Sequence, residues 1–211
     1  MIDPHFAILG ALITLTGSVA YARDTVRGRT QPNRVTWSLW ALAPMIAFAA
    51  ELAQHVGLDA LLTFAVGFGP LIVVIASFMD PRAYARLTGF DILCGVLSLA
   101  ALVGWAVTRS GNVAILLSLL ADSLGAIPTF RKALRDPASE SANAFIGSAV
   151  GAAITLLTIP AARWGFASCA FPAYILVADS TLTGLILIPR RPRARQPIGE
   201  VPTQSGDLTP R

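Results

Sequence analysis

The chain is poor in charge, in histidine and in cysteine. Of 211 residues only 13% are charged while 55% are apolar, and there are two histidines and two cysteines. So low a charge content excludes an ordinary soluble domain, in which about a quarter of the residues are charged. Cys94 and Cys169 both lie inside apolar stretches, so neither a disulfide nor a zinc site is indicated, and both read as packing residues. No Ser/His/Asp set, HExxH, CxxC or phosphate-cradling glycine loop is present. That inventory predicts no enzyme, no cofactor and no resident metal.

What is present is a succession of apolar stretches at 5–22, 35–52, 60–79, 90–108, 113–130, 143–160 and 166–188. Each runs to about 18 to 23 residues, enough for a helix to cross a hydrocarbon core of about 30 Å. The basic residues fall between them unevenly. Arg23, Arg27, Arg29 and Arg34 follow the first stretch, Arg82 and Arg86 the third, Arg131, Lys132 and Arg135 the fifth, and Arg190, Arg191, Arg193, Arg195 and Arg211 the last. Only Arg109 and Arg163 occupy the other gaps. By the positive-inside rule the amino terminus lies outside and the carboxyl terminus in the cytoplasm.

The same distribution explains the pI near 9.7 without nucleic acid as a partner, since the positive charge belongs to cytoplasmic loops. Residues 1–5 carry no Lys or Arg, and charge instead of a small-residue cleavage site follows the first stretch. It reads as a retained first helix. Residues 189–211 lack apolar periodicity and are expected to form a disordered cytoplasmic tail, with Arg190 to Arg195 resting on anionic lipid headgroups.

A shift of 108 residues lays Gly17 on Gly125, Arg23 on Arg131, Arg27 on Arg135 and Trp37 on Phe145. Both loops, 23–34 and 131–142, are then twelve residues long. Gly10, Thr14, Gly17 and Tyr21 fall on Ser118, Asp122, Gly125 and Thr129, spacings that place each set on one helix face. An odd repeat of three helices needs one extra crossing to keep both copies parallel. The expected architecture is an all-α membrane protein of seven transmembrane helices in a 3+1+3 arrangement. Its parts are a first three-helix repeat at 1–80, a linker helix within 81–112, a second repeat at 113–188 and the tail.

Asp122 and Asp179 stand near the middle of apolar stretches. A carboxylate at a helix centre costs roughly 2.5 to 3.5 kcal/mol on insertion scales, so such a residue faces a polar interior. Two readings stay open for each: a substrate acceptor or proton-coupling group, and a buried acid bonded to a neighbour for packing alone. Asp179 shares a face with Ser168, Pro172 and Thr183, and Asp122 shares one with Ser118, Gly125 and Thr129. Glu51, His55 and Asp59 crowd the outer end of the second helix and are expected to form a solvated loop, their spacing fitting no metal motif. Asp91 and Trp105 read as interface residues, Asn143 as a helix cap, and Gly147, Gly151 and Thr155 as a close-packing seam.

The segment from Ala121 to Pro137, followed by Ser139, Glu140 and Ser141, together with Thr30 to Trp40 and Pro44 beyond it, resembles the PQ-loop family that includes the SWEET sugar transporters. The resemblance covers roughly 1–188. The family's Pro-Gln dipeptide appears here as Ala20-Tyr21 and Pro128-Thr129, and of its four helix prolines the chain has Pro44 and Pro128, with Ala20 and Ala152 at the partner positions. The asparagine that sugar-transporting members carry on the third helix of each repeat is missing from 60–79 and 166–188.

The resemblance implies a plasma-membrane transporter that moves a small polar solute, a sugar or similar, by alternating access, with proton coupling open. A PQ-loop receptor that binds without transport, as the KDEL receptor relatives do, is the alternative. The implied solute or proton site comprises Asp122, Asp179, Trp40, Ser118, Thr14 and Thr183, with Pro44 and Pro128 as hinges. For Trp37 and Trp40 two roles stand: an aromatic belt at the headgroups, or, for Trp40, stacking on the solute. Two repeats make one chain sufficient for a pathway, and a homo-oligomer is left open.

Overall fold

The computed structural model describes residues 2–79, 88–108 and 110–188. Arg82, Arg86, Arg109, the arginines from Arg190 onward and the tail reading for 189–211 lie outside the described residues, as do the side chains of Cys94 and Trp105. Among the described residues the chain is helical throughout. The helices are α1 (Phe6–Val26), α2 (Arg34–Ala53), α3 (Ala60–Ser77), α4 (Gly89–Thr108), α5 (Gly111–Arg135), α6 (Asn143–Thr158) and α7 (Phe166–Leu187), with single 3₁₀ turns at 57–59, 137–139 and 161–163. Five segments, Phe6–Val26, Arg34–Ala53, Gly57–Ser77, Gly111–Arg135 and Phe166–Leu187, are long and apolar enough to cross a membrane, which marks a membrane protein.

Local chemistry sets the helix ends. Gly28, at φ 67°, closes α1: its N–H reaches Thr25 O at 2.9 Å and that of Arg29 reaches Asp24 O at 2.9 Å, a left-handed stop that glycine adopts without penalty. Asn33 then caps α2, its side chain accepting the N–H of Val35 at 3.0 Å and of Thr36 at 3.2 Å. At α4, Thr88 and Asp91 cap reciprocally: the Thr88 N–H donates to Asp91 at 2.6 Å, and the Asp91 N–H donates to the Thr88 hydroxyl at 3.3 Å. Asp91, expected at an interface, is buried and also caps α4.

Two boundaries differ from the apolar stretches. Helix α5 continues through Arg131, Lys132 and Arg135 before Pro137 begins the next turn, because cations in a last turn are favoured by the helix dipole. Each loop expected to span twelve residues is therefore shorter, 27–33 and 136–142. Helix α6 stops at Thr158, since Ile159 precedes Pro160 and is extended, at ψ 117°. Its 16 residues make about 24 Å.

Helix α3 lies between α1 and α2, and α7 between α5 and α6; α1 packs along α6, α2 along α5, and α4 covers α5 and touches α2. The α1–α6 contact is close enough that a side chain on its glycines would strike the facing backbone. A methyl on Gly10 would stand 2.9 Å from Gly151 O, and one on Gly147 would stand 2.9 Å from Ile13 O. Such small-residue seams let helix backbones approach in the absence of a hydrophobic drive between helices in lipid. Large apolar side chains face outward, among them Leu12, Ile75, Leu116 and Val177.

Candidate functional site

Between these helices lies a small, partly open cavity of about 30 Å³. Six helices contribute to its wall: Ser18 from α1, Trp37 and Trp40 from α2, Val66 and Pro70 from α3, Asp122 and Phe130 from α5, Phe145 and Ser148 from α6, and Tyr174 and Asp179 from α7. On α7 the buried and lining positions 171, 175, 178/179 and 182 recur at helical spacing, so an apolar stripe that buries α7 carries Asp179 inward with it. The stripe of α5 does the same for Asp122, which is 3% exposed.

The polar groups of the cavity are matched in an uneven way. Tyr174 Oη donates to Asp122 Oδ2 at 2.8 Å, whereas Asp122 Oδ1 is buried without a hydrogen-bond partner. Trp40 Nε1 donates to the backbone carbonyl of Asp122 at 3.4 Å. Ser148 and Asp179 line the same wall. No Lys, Arg or His stands among the described residues that line the cavity.

Trp37, Trp40, Tyr21 and Phe145 stack into one cluster, with ring centroids 4.5 Å apart for Tyr21–Trp37, 5.3 Å for Trp37–Trp40 and 6.0 Å for Trp40–Phe145. Trp37 is 2% exposed, so neither tryptophan belongs to a headgroup belt. The rings are drawn inward because α2 packs on α5 along this face, where their area is buried against other aromatic rings.

Beyond the cluster the loops 27–33 and 136–142 meet. The Gln31 N–H donates to Ser139 O at 3.0 Å. Lys132 Nζ donates to Glu140 Oε1 at 2.8 Å and also to Gln31 O, and Tyr21 Oη donates to Glu140 Oε2. Asp24 accepts from Ser141 Oγ at 3.0 Å and Asn143 Nδ2 at 3.2 Å. Asn143 is thus a tie between the start of α6 and helix α1 instead of a cap. Burial pushes the Glu140 carboxyl above the ordinary carboxylate range, and the Lys132 ammonium pulls it part of the way back.

The opposite end is buried too. Glu51 is 1% exposed and accepts from Thr63 Oγ1 at 3.1 Å. Asp59 accepts from Thr158 Oγ1 at 3.2 Å and pairs with Arg163 at 3.5 Å. The expected solvated loop is therefore reduced to exposed His55: the 3₁₀ turn folds Asp59 under Arg163, whose guanidinium also holds Val56 O at 3.0 Å.

Of the residues singled out by the sequence, the cavity brings together Asp122, Asp179 and Trp40 and leaves the others aside. Thr14 is fully buried in the α1–α6 seam, donating to Gly10 O at 3.0 Å and Gly147 O at 3.4 Å. Ser118, fully buried, and Thr183 lie off the lining, and neither hydroxyl has a hydrogen-bond partner. Pro44 and Pro128 are buried within continuous helices. Tyr174 and Ser148 carry no mark in the sequence, and no local spacing encodes the contact of Tyr21 and Lys132 with Glu140. The signal available was a hydroxyl or charge inside or beside an apolar stretch, which must find a partner once buried. No family model, no curated protein and no solved structure matches this chain.

Proposed function

We propose that the protein is a membrane transporter of the PQ-loop kind, which moves a small polar solute through the central cavity by alternating access. One observation carries the reading: two carboxyl side chains withdrawn from solvent, Asp122 and Asp179, face a cavity to which both halves of the chain contribute. A substrate site at the interface of two repeats is the arrangement such transporters use.

The helix packing supports a parallel repeat. Under the 108-residue shift the α1–α6 contact corresponds to that of α2 with α5, and the placing of α3 between α1 and α2 to that of α7 between α5 and α6. The pair Gln31 and Ser139, which correspond under the shift, bond to each other, as expected at a pseudo-two-fold axis. On this reading 1–80 and 113–188 rock against each other about Pro44 and Pro128, with 81–112 as linker. The Arg-rich loops lie in the cytoplasm against anionic lipid, and the membrane is the plasma membrane. The paired loops 27–33 and 136–142 then close the cytoplasmic end.

The test is flux into proteoliposomes holding the full chain, with a panel of labelled sugars, amino acids, organic acids and amines. At least one class is expected to enter saturably, and Asp122→Asn and Asp179→Asn are each expected to lower its rate about tenfold or more, the size of one lost hydrogen bond to a charge. Saturable binding without flux sinks transport in favour of a receptor. Unchanged flux in both variants sinks the roles given to the two acids.

A further inference from the structure

The wall of the central cavity carries two carboxyls and no described cation. Of the side-chain donors that line it, Tyr174 Oη is engaged by Asp122 and Trp40 Nε1 by the Asp122 carbonyl, while Trp37 Nε1 is buried without a partner. Also without a partner is an acceptor, Asp122 Oδ1, on a residue 3% exposed. Tyr174 holds the other oxygen of that carboxyl, so the free oxygen is fixed in direction before anything binds.

The remaining wall is aromatic. Trp37, Trp40, Phe130 and Phe145 line the same space as the two acids, and ring faces attract cations where water is excluded. The titratable groups facing the cavity are Asp122 from α5 and Tyr174 and Asp179 from α7; α1, α2, α3 and α6 bring only Ser18, Ser148 and apolar or aromatic side chains.

From this we propose that the solute is a small organic cation with N–H donors, an alkylammonium or alkylguanidinium, and that it enters in exchange for a proton held between Asp122 and Asp179. This rests on the transport reading above. A bare metal cation is disfavoured because hard ions seek six or more oxygens, and this wall is mostly carbon. Anions meet two carboxyls and no described cation. An amino acid brings a carboxylate with no basic side chain to receive it, and a neutral polyol brings no charge to balance the two carboxyls.

The exchange also balances charge. Two carboxylates in a dry site repel each other, so an empty cavity keeps a proton between them. Arrival of the cation supplies the positive charge, and one proton leaves, so each exchange is electroneutral.

Methylguanidinium is a suitable probe because it donates N–H bonds and has no neutral form near neutral pH. The full chain is tested for binding in detergent and for flux in vesicles, with glucose and butyrate as neutral and anionic comparisons. Methylguanidinium is expected to bind at least about tenfold more tightly than either comparison, and Asp122→Asn or Asp179→Asn to weaken it about tenfold. In the unaltered protein, affinity is expected to fall by up to about tenfold per unit as the pH is lowered, because protons compete for the same oxygens. One proton is expected to leave the vesicle for each cation that enters. Flux of glucose or another neutral solute, with no methylguanidinium binding, overturns this inference and leaves transport standing. Binding of methylguanidinium without flux upholds the cation site and overturns transport. Binding that ignores pH in the unaltered protein overturns the exchange even where a variant fails to fold.

Discussion

Glu140 and Asp122 are both acids withdrawn from solvent, and their surroundings differ in kind. Both oxygens of Glu140 are engaged, one by Lys132 and one by Tyr21. Asp122 has one oxygen held by Tyr174 and the other buried without a partner. The first is a closed pair that ties the loops of the two halves together. The second is a half-made site. A buried charge with its counter-ion built in reports a structural tie, and one without reports a place kept for something that comes and goes.

The contrast is broken most severely by removing the counter-ion. Lys132→Met leaves Glu140, whose side chain is fully buried, without its cation, and is expected to destabilise the protein by about 3 kcal/mol. The double variant with Glu140→Gln is expected to recover most of that loss in thermal unfolding in detergent. If the single variant unfolds at the same temperature as the unaltered protein, the pair is no tie.

The pH dependence follows in size. An acid whose titration is raised in the folded state, as burial raises Glu140, favours folding while protonated. Its contribution is fully present below the unfolded value of about 4.3 and is lost as pH rises through the raised folded value. Lys132 offsets part of this, so the thermal midpoint of Lys132→Met is expected to fall more steeply with rising pH than that of the unaltered protein. Glu140→Gln is expected to abolish that slope, and a slope that survives it places the titrating group elsewhere.

Smaller effects belong to the cavity. Tyr174→Phe removes the bond that orients Asp122 and is expected to cost about 1.5 kcal/mol of stability; methylguanidinium affinity is expected to fall a few-fold, while its pH response persists. An unchanged affinity separates the tyrosine from the site. Smallest of all is the stability change in Asp122→Asn: Asn keeps an acceptor for Tyr174 and sheds an uncompensated charge, so a shift within about 1 kcal/mol is expected. A larger loss would move Asp122 to the structural side of the comparison.

The cavity acids were legible because a carboxylate in an apolar stretch is costly, and its presence has few explanations. Their partners were not. Tyr174 meets Asp122 across 52 residues and Glu140 meets Tyr21 across 119, and no local spacing encodes such pairs. Thr14 shows the converse: it sits on the helix face expected, and that face is turned into a glycine seam where the hydroxyl serves two carbonyls. Glu51 and Asp59 read as solvated because they end an apolar stretch, yet a 3₁₀ turn and Arg163 from far along the chain cover them.

By itself the sequence determined the helices, since runs of apolar residues of that length must satisfy their own backbone bonds in lipid and only a helix does so within one segment. It also determined where charge would be costly. The tertiary structure decided which helix faces meet, and hence which of the polar groups are joined and which, Asp122 Oδ1 and Trp37 Nε1 among them, are left without a partner. That choice depends on close packing between segments a hundred residues apart, a property of surfaces that come into being only when the helices assemble.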